Sequence, residues 1–206
     1  DPLLCELMYK WFVPNNGSVL DPFAGGSVRG IVANYMGYFY TGIELRGEQV
    51  DSNRKQAIDI LELNNQPQWY VGDSNKVLDN LNKQYDFIFS CPPYANLEVY
   101  SKLEGDISNM NYKDFLLAYE SIISKSCELL KVGRYACFVV GEVRNKKGNY
   151  IGFVPDTIRA FKKCGMQFYN EAILLNAVGS GSLRANNQMK NKKLVKIHQN
   201  VLVFKK

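Results

Sequence analysis

Short apolar runs alternate with amphipathic stretches along most of the chain, which is the pattern of repeated β-α units. The short runs predict strands, and the stretches with apolar positions three to four residues apart predict helices. The predicted strands are residues 18–23, 38–45, 69–73, 85–90, 134–143, 167–175 and 201–204. The predicted helices are residues 28–36, 48–63, 112–130 and 155–163, with a brief helix through Val77 and Leu81. Residues 94–111, 144–149 and 176–199 are predicted loops.

This order of elements predicts an α/β fold with a mostly parallel sheet. Residues 85–90 are almost all apolar, which suits a strand that is buried on both faces. The last two strands follow each other without a helix, so they must pair antiparallel, and one strand is reversed. In such a sheet, we expect ligand sites at the carboxyl ends of the first and fourth strands.

Composition limits the class of protein without naming its chemistry. The 206 residues fit one domain, and 46% apolar with 22% charged residues is ordinary globular chemistry. The five cysteines are widely spaced and there is one histidine. These counts argue against a zinc site, a disulfide framework and a histidine-dependent hydrolase, and they favour a reducing compartment such as the cytoplasm. Because the chain opens at Asp1 without a leader, we expect it to be part of a longer chain.

The positive charge is concentrated at one end of the chain. The net charge is +5, but residues 1–176 carry 18 basic and 20 acidic groups. Residues 177–206 carry seven basic groups and no acid. Such an asymmetry favours a polyanionic partner, although a solvated tail that aids solubility stays open as the simpler interpretation.

A glycine-rich motif, Asp21-Pro22-Phe23-Ala24-Gly25-Gly26-Ser27 (the glycine turn), lies at the end of the first predicted strand and opens the first predicted helix. Glycines there allow a tight turn and let a ligand approach the backbone. Glu44 follows at the end of the second strand, where an acid can bind ribose hydroxyls, and Asp73 ends the third strand, just before Ser74, where it can accept from an adenine amino group. The candidate cofactor-binding residues are Asp21, Pro22, Phe23, Ala24, Gly25, Gly26, Ser27, Glu44, Asp73 and Ser74.

A second motif, Cys91-Pro92-Pro93-Tyr94 (the proline motif), comes directly after the fourth predicted strand. The two prolines fix the backbone and remove two N–H donors, which leaves carbonyl oxygens as acceptors. A planar ring could stack on Tyr94 while its exocyclic amine is held by backbone carbonyls. These four residues are the candidate catalytic residues.

Together, the two motifs resemble those of the S-adenosylmethionine-dependent amino-methyltransferases of DNA, which make N6-methyladenine or N4-methylcytosine. The glycine turn resembles the loop that binds the methionine moiety, and Cys91-Pro92-Pro93-Tyr94 resembles the Asp/Asn/Ser-Pro-Pro-Tyr catalytic motif. The segment from His198 to Phe204 is similar to the late strand of that family. The resemblance covers nearly the whole chain.

The resemblance implies a doubly wound, Rossmann-like sheet of seven strands, with S-adenosyl-L-methionine as cofactor and no metal. It implies direct transfer of the methyl group to the amine of a flipped base, held by Cys91 and Pro92 and stacked on Tyr94. Cys91 departs from the family pattern, because a thiol is a weaker hydrogen-bond acceptor than Asp, Asn or Ser. This departure leaves adenine and cytosine both open as targets.

DNA is the expected partner, and basic residues of two predicted loops are the candidates for binding it. They are Arg144, Lys146, Lys147, Arg184, Lys190, Lys192, Lys193 and Lys196. No segment exceeds a loop, so the only candidates for target recognition are residues 94–111, 144–149 and 176–199. Either the specificity is low, or an upstream segment or a second copy of the chain supplies target recognition. Two alternatives stay open: an amino-methyltransferase of RNA or protein glutamine, and a homologue that binds cofactor or DNA without catalysis.

Overall fold

A computed structural model describes residues 1–62, 66–94, 101, 103, 105–176 and 179–206. Within this part of the chain, seven strands form one sheet in the order β3-β2-β1-β4-β5-β7-β6. The strands are β1 Ser18–Asp21, β2 Phe39–Glu44, β3 Gln68–Val71, β4 Tyr85–Ser90, β5 Leu130–Val140, β6 Gln167–Leu175 and β7 His198–Lys205. The helices are α1 Pro2–Phe12, α2 Val28–Tyr35, α3 Gly47–Ile60, α4 Ser74–Val77, α5 Tyr112–Leu129, α6 Phe153–Lys163 and α7 Gly179–Lys190.

The topology confirms the predicted α/β sheet with one reversed strand. Strands β1 to β5 pair in parallel, and β7 runs antiparallel to both β5 and β6. The chain order reverses between β1 and β4, whose carboxyl ends are therefore adjacent at the position where such sheets bind ligands. All six residues of β4 are buried, as its apolar run predicts.

Apolar side chains cover both faces of the sheet. Alternation along β4 sends Ile88 to one face and Phe87 and Phe89 to the other. Helices α5 and α6 cover the first face with large aromatic side chains such as Phe115 and Phe161. Helices α1, α2 and α3 cover the second face. In the described residues, no helix is both long enough and apolar enough to cross a membrane.

Helix α1 is absent from the elements that the sequence pattern predicts. Asp1 begins it by accepting hydrogen bonds from the Leu3 and Leu4 amides, and Cys5, Met8 and Tyr9 are its buried residues. Apolar residues also lie on its exposed side, among them Leu3 and Trp11. Because both sides are apolar, the helical period is weak and the pattern conceals the helix.

The prediction of a loop over residues 176–199 is wrong for its central part, which forms α7. Most described residues of α7 are exposed, so burial does not require an apolar stripe along it. The Leu183–Ala185 and Gln188–Lys190 segments instead supply residues with good intrinsic helix propensity.

Several element ends also differ from the prediction. Strand β5 is residues 130–140 rather than 134–143, the 48–63 helix ends at Ile60, and α6 begins at Phe153 rather than Pro155. The first strand ends at Asp21 rather than Phe23, and β7 extends beyond the predicted 201–204. The predicted 94–111 loop contains a 3₁₀ turn at Ile107–Asn109, and its residues 95–100, 102 and 104 lie outside the described residues.

Candidate functional site

A cavity of about 330 Å³ lies at the carboxyl ends of β1, β2 and β4 and beside the residues that follow β3. It brings together the glycine turn, Glu44, the Asp73-Ser74 pair and the first three residues of the proline motif, although these groups are far apart in the sequence; Tyr94 is not among the residues that line it. The predicted residues that line it are Pro22, Phe23, Ala24, Gly25, Gly26, Glu44, Asp73, Ser74, Cys91, Pro92 and Pro93.

The glycine turn presents open backbone to this cavity. Gly25 has φ of +53°, a left-handed conformation that favours glycine. A Cβ added to Gly25 or Gly26 would meet no described atom within 4 Å. A Cβ on Gly42, in contrast, would lie 2.8 Å from Tyr40 and Trp69 side-chain atoms. Gly42 is thus needed for packing, whereas Gly25 and Gly26 leave space for a ligand.

Asp21 holds the strands together behind the turn. Its carboxylate accepts hydrogen bonds from the Ser90 hydroxyl at 2.6 Å, from the Tyr40 hydroxyl at 2.7 Å and from the Arg29 guanidinium. Burial works to lower the pKa of Arg29, but the Asp21 charge more than offsets this and keeps the pKa above its usual value. Of the predicted cofactor-binding residues, Asp21 and Ser27 do not line the cavity. The Ser27 hydroxyl donates a hydrogen bond to Gln56 instead.

Glu44 forms part of the cavity wall with an oriented carboxylate. One of its oxygens accepts from the Gly25 amide at 3.0 Å, and the other accepts from the Arg46 amide at 3.0 Å. These bonds fix the acid at the end of β2 against the glycine turn. The side chain of Arg46, which sequence reasoning missed, also lines the cavity and pairs with Glu44.

Asp73 lies on the neighbouring wall, at the start of α4. One carboxylate oxygen accepts from the Asn75 amide at 2.9 Å, which caps the short helix. The Ser74 hydroxyl donates to the Pro22 carbonyl and thereby links this wall to the glycine turn. A Cβ on Gly105 would lie 3.4 Å from the second Asp73 oxygen, so the backbone at Gly105 lies against the carboxylate.

Asp106 extends the cavity wall beyond the predicted residues. Its carboxylate accepts from the amides and hydroxyls of both Ser101 and Ser108, at 2.6–3.0 Å. Burial works to raise the pKa of Asp106, but these hydrogen bonds outweigh it and lower the pKa. Ser101, Gly105, Asp106 and Ile107 all line the cavity. No periodic pattern marks this segment in the sequence, which is why it was missed.

The proline motif separates the cavity from a second group of residues. Cys91 is half-buried and lines the cavity, and burial raises the pKa of its thiol above the usual value despite the nearby Arg29 charge. The thiol is therefore neutral at pH 7. Tyr94 contacts β7 and α6: the Gln199 amide donates to its hydroxyl at 2.9 Å, and the Phe153 ring packs against it at 71°.

The two segments that carry the predicted DNA-binding residues, 144–150 and 179–196, contact each other. Arg144 and Tyr150 form an isolated antiparallel bridge, and the Arg144 guanidinium lies 3.8 Å from the centre of the Tyr150 ring. A Cβ on Gly148 would lie 2.6 Å from Lys193 Nζ, so this turn contacts the segment after α7. The exposed basic residues of the two segments are Lys146, Lys147, Arg184, Lys190 and Lys192. Burial lowers the pKa of Lys196, and Glu142 partly opposes this.

No family model matches this sequence, and no curated protein matches it. Its structure is similar to that of TrmN from Thermus thermophilus, with a TM-score of 0.65 and 13% identity over all of this chain. It is also similar to a putative rRNA methylase from Clostridium thermocellum, with a TM-score of 0.62 and 12% identity over 98% of this chain and 95% of that one. Magnesium protoporphyrin IX methyltransferase from Synechocystis, solved with bound SAM, gives 0.61 and 11% over 100% of this chain and 79% of that one.

These similarities establish the fold: the chain has the Rossmann-like fold of SAM-dependent methyltransferases. At 11–13% identity they do not extend to the substrate. The chain spans 48% of the TrmN structure, about half of its length.

Proposed function

We propose that this protein is an S-adenosylmethionine-dependent methyltransferase that acts on an exocyclic amine of a DNA base, N6 of adenine or N4 of cytosine. The observation that carries the proposal is the cavity. One continuous cavity is lined by the open backbone of the glycine turn, by the Glu44 and Asp73 carboxylates and by the Cys91-Pro92-Pro93 segment. S-adenosylmethionine is an adenosine with an amino-acid tail, and these groups could bind its adenine, its ribose and its methionine moiety.

The residues present fit this cofactor. Glu44 is held by two backbone amides at the end of β2, where a carboxylate can accept from ribose hydroxyls. Asp73 can accept from the adenine amino group with the carboxylate oxygen that does not cap α4. Gly25 and Gly26 leave space for the methionine moiety. When bound, the cofactor would supply a sulfonium methyl group, which the amine lone pair takes as the C–S bond breaks.

The protein groups near the amine act by holding it. In this proposal, the Pro92 carbonyl accepts one amine hydrogen and the Cys91 sulfur accepts weakly from the other, which directs the nitrogen lone pair toward the methyl group. A neutral thiol is a poor nucleophile, so in this proposal Cys91 holds the amine and is not a covalent nucleophile. The proton that the amine loses passes to solvent. Tyr94 provides the ring on which the base stacks.

The basic residues favour a nucleic-acid substrate. The Arg144–Tyr150 turn and the segment after α7 contact each other through Gly148 and Lys193. The β6–β7 connection leaves the sheet at the carboxyl end of β6, which runs parallel to β5 and so ends on the catalytic side. Contacts from such lysines to phosphate would position a strand beside Tyr94 without reading its sequence.

RNA is the second candidate substrate. The structures similar to this chain include TrmN and proteins described as an rRNA methylase and an RNA methyltransferase. A basic surface alone does not distinguish RNA from DNA, because both present phosphates. DNA is preferred on the resemblance of the two motifs.

A labelled-methyl transfer assay tests the proposal. Wild-type protein is incubated with tritiated S-adenosylmethionine and, in parallel, with unmethylated genomic DNA, total RNA and a protein extract. The expected result is label in the DNA. Label in RNA alone would move the function to the second candidate, and label in none of the three, with cofactor binding intact, would indicate a homologue that binds without catalysis.

A further inference from the structure

The hydroxyl of Tyr94 is held by a residue from a distant part of the chain. Gln199 Nε2 donates a hydrogen bond to it at 2.9 Å, across 105 residues of sequence. The antiparallel pairing of β5 with β7 sets Asn200 opposite Val140, so Gln199 comes to lie beside Gly141. The reversed strand of the sheet therefore delivers this amide to the end of the proline motif.

The neighbours of Tyr94 leave its hydroxyl little room to move. A Cβ on Gly141 would lie only 3.2 Å from the hydroxyl oxygen, which is tighter than an ordinary van der Waals contact. The Phe153 ring packs at 5.7 Å between centroids. Phe153 is itself fixed at the start of α6, because the Glu142 carboxylate accepts from the Gly152 and Phe153 amides at 2.9 and 2.8 Å. The tilt of the Tyr94 ring is thus set from three sides.

We infer that Gln199 is a positioning residue for methyl transfer: its amide, bonded to the Tyr94 hydroxyl, fixes the ring on which the target base stacks. This inference rests on the proposed function. Stacking depends on the offset and angle between the two rings, so a tilt of the Tyr94 ring would misorient the target base for methyl transfer. A hydrogen bond at the far end of the side chain opposes rotation about χ1, because that rotation would carry the hydroxyl away from the amide.

The chain offers a matched control for this contact. Gln68 Nε2 donates to the Tyr70 hydroxyl at 2.7 Å, in an exposed position on β3 at the far edge of the sheet. Gln68→Leu removes the same chemical bond as Gln199→Leu, but at a place remote from the proline motif. A general effect of losing a glutamine–tyrosine bond would appear in both variants.

The test is a double-mutant cycle with Gln199→Leu, Tyr94→Phe and the double variant, measured on the nucleic acid that the wild type methylates. We expect each single variant to lower kcat by about 3- to 10-fold, the effect of one neutral hydrogen bond. The double variant should lose no more than the larger single loss, since both changes break the same bond. Cofactor affinity by calorimetry and Tm should remain near wild type, and Gln68→Leu should leave kcat unchanged.

Two results would overturn the inference while leaving the function intact. One is an active wild type in which the losses from Gln199→Leu and Tyr94→Phe multiply, because the two residues would then act independently. The other is a Gln199→Leu variant with a lower Tm but a normal kcat at temperatures where it is folded, which is a structural role alone. A wild type that transfers no methyl group to any nucleic acid would instead overturn the proposed function, and the inference with it.

Discussion

At the scale of single residues, the central feature is a cysteine where the resembling family has Asp, Asn or Ser. Cys91 is half-buried against the cavity, and burial keeps its thiol protonated at neutral pH. The surrounding groups therefore favour a weak, neutral hydrogen-bond partner rather than a nucleophile or a base. Its substitution by a better acceptor tests that role.

Cys91→Asp and Cys91→Ser should retain methyl transfer or raise it, because a carboxylate or hydroxyl accepts hydrogen bonds more strongly than a thiol. Cofactor affinity, measured by calorimetry, is the control for an intact cavity. If both variants bind cofactor normally and transfer nothing, the reaction needs the thiol itself.

The thiols also differ in predicted reactivity with pH. The neighbouring Cys127 thiol lowers the pKa of Cys164 to about 7, whereas burial raises the pKa of Cys91. Since the thiolate is the reactive form, alkylation by iodoacetamide at pH 8 should label Cys164 well before Cys91. Below about pH 6, labelling of Cys164 should slow as its thiolate is protonated. Peptide mass spectrometry over a pH series measures both rates, and faster labelling of Cys91 would contradict this assignment.

Asp73 is expected to bind the adenine of the cofactor. Asp73→Ala should weaken S-adenosylmethionine binding by about 1–3 kcal/mol, the usual loss when a buried polar partner is removed. Because Asp73 also caps α4, Asp73→Asn is the companion variant that retains an acceptor for the Asn75 amide. The exposed Asp59 on α3 supplies the control, as Asp59→Ala. Calorimetry that gives wild-type affinity for both Asp73 variants would remove this residue from the site.

At the scale of elements, sequence reasoning succeeded where burial imposes a period and failed where it does not. The central strands and α5 are buried on one or both faces, so their apolar patterns predict them well. Helix α1 is apolar on its exposed side as well, and most described residues of α7 are exposed, so neither shows a clear stripe. The same limit applies to the site: Glu44 and Asp73 lie at the ends of predicted strands, whereas Arg46, Asp106 and Gln199 depend on tertiary contacts.

Asp86 links three strands near the start of β4, at the opposite end of that strand from the cavity. It accepts from the Ser18 amide at 3.0 Å on β1 and from Lys131 Nζ at 2.9 Å on β5. Burial works to raise the pKa of Asp86, but these partners outweigh it and lower the pKa. A depressed carboxylate pKa stabilises the fold above the unfolded-state value, and this contribution is lost as pH falls below about 4.

Asp86→Asn should therefore lower the free energy of unfolding by about 2 kcal/mol at pH 7, and the difference from wild type should shrink on acidification below about pH 4. Urea unfolding at a series of pH values measures both effects. Cofactor affinity at pH 7 should be unchanged. A difference that stays constant down to pH 2 would show that the ionised carboxylate does not contribute.

At the scale of the whole molecule, the basic β6–β7 connection and the proline motif both lie on the side of the sheet where β4 and β6 end. Four lysines, Lys190, Lys192, Lys193 and Lys196, fall within seven residues of the β6–β7 connection. Replacing all four by Gln should weaken DNA binding about equally for any sequence and flatten log affinity against log salt by up to ~3–4 units, at ~0.9 per phosphate contact. Fluorescence anisotropy in a salt titration measures the slope.

The control for this variant uses exposed lysines from other parts of the fold. Lys55→Gln with Lys83→Gln changes α3 and the segment before β4, and it should leave the slope at the wild-type value. Cofactor affinity should be the same in all three proteins. An unchanged slope in the four-lysine variant would make this segment a solvated surface and direct attention to Arg144, Lys146 and Lys147.

The position of the transferred methyl group on the base tests the proposed function most directly. DNA methylated by the wild type with isotopically labelled S-adenosylmethionine is digested to nucleosides, which are separated and identified by mass spectrometry. We expect label in N6-methyldeoxyadenosine or N4-methyldeoxycytidine, with the amount greatly reduced by Tyr94→Ala because base stacking contributes about 1–3 kcal/mol. Label in 5-methyldeoxycytidine would contradict it, because methylation at that carbon requires a covalent cysteine nucleophile, and a half-buried, neutral Cys91 is a poor one.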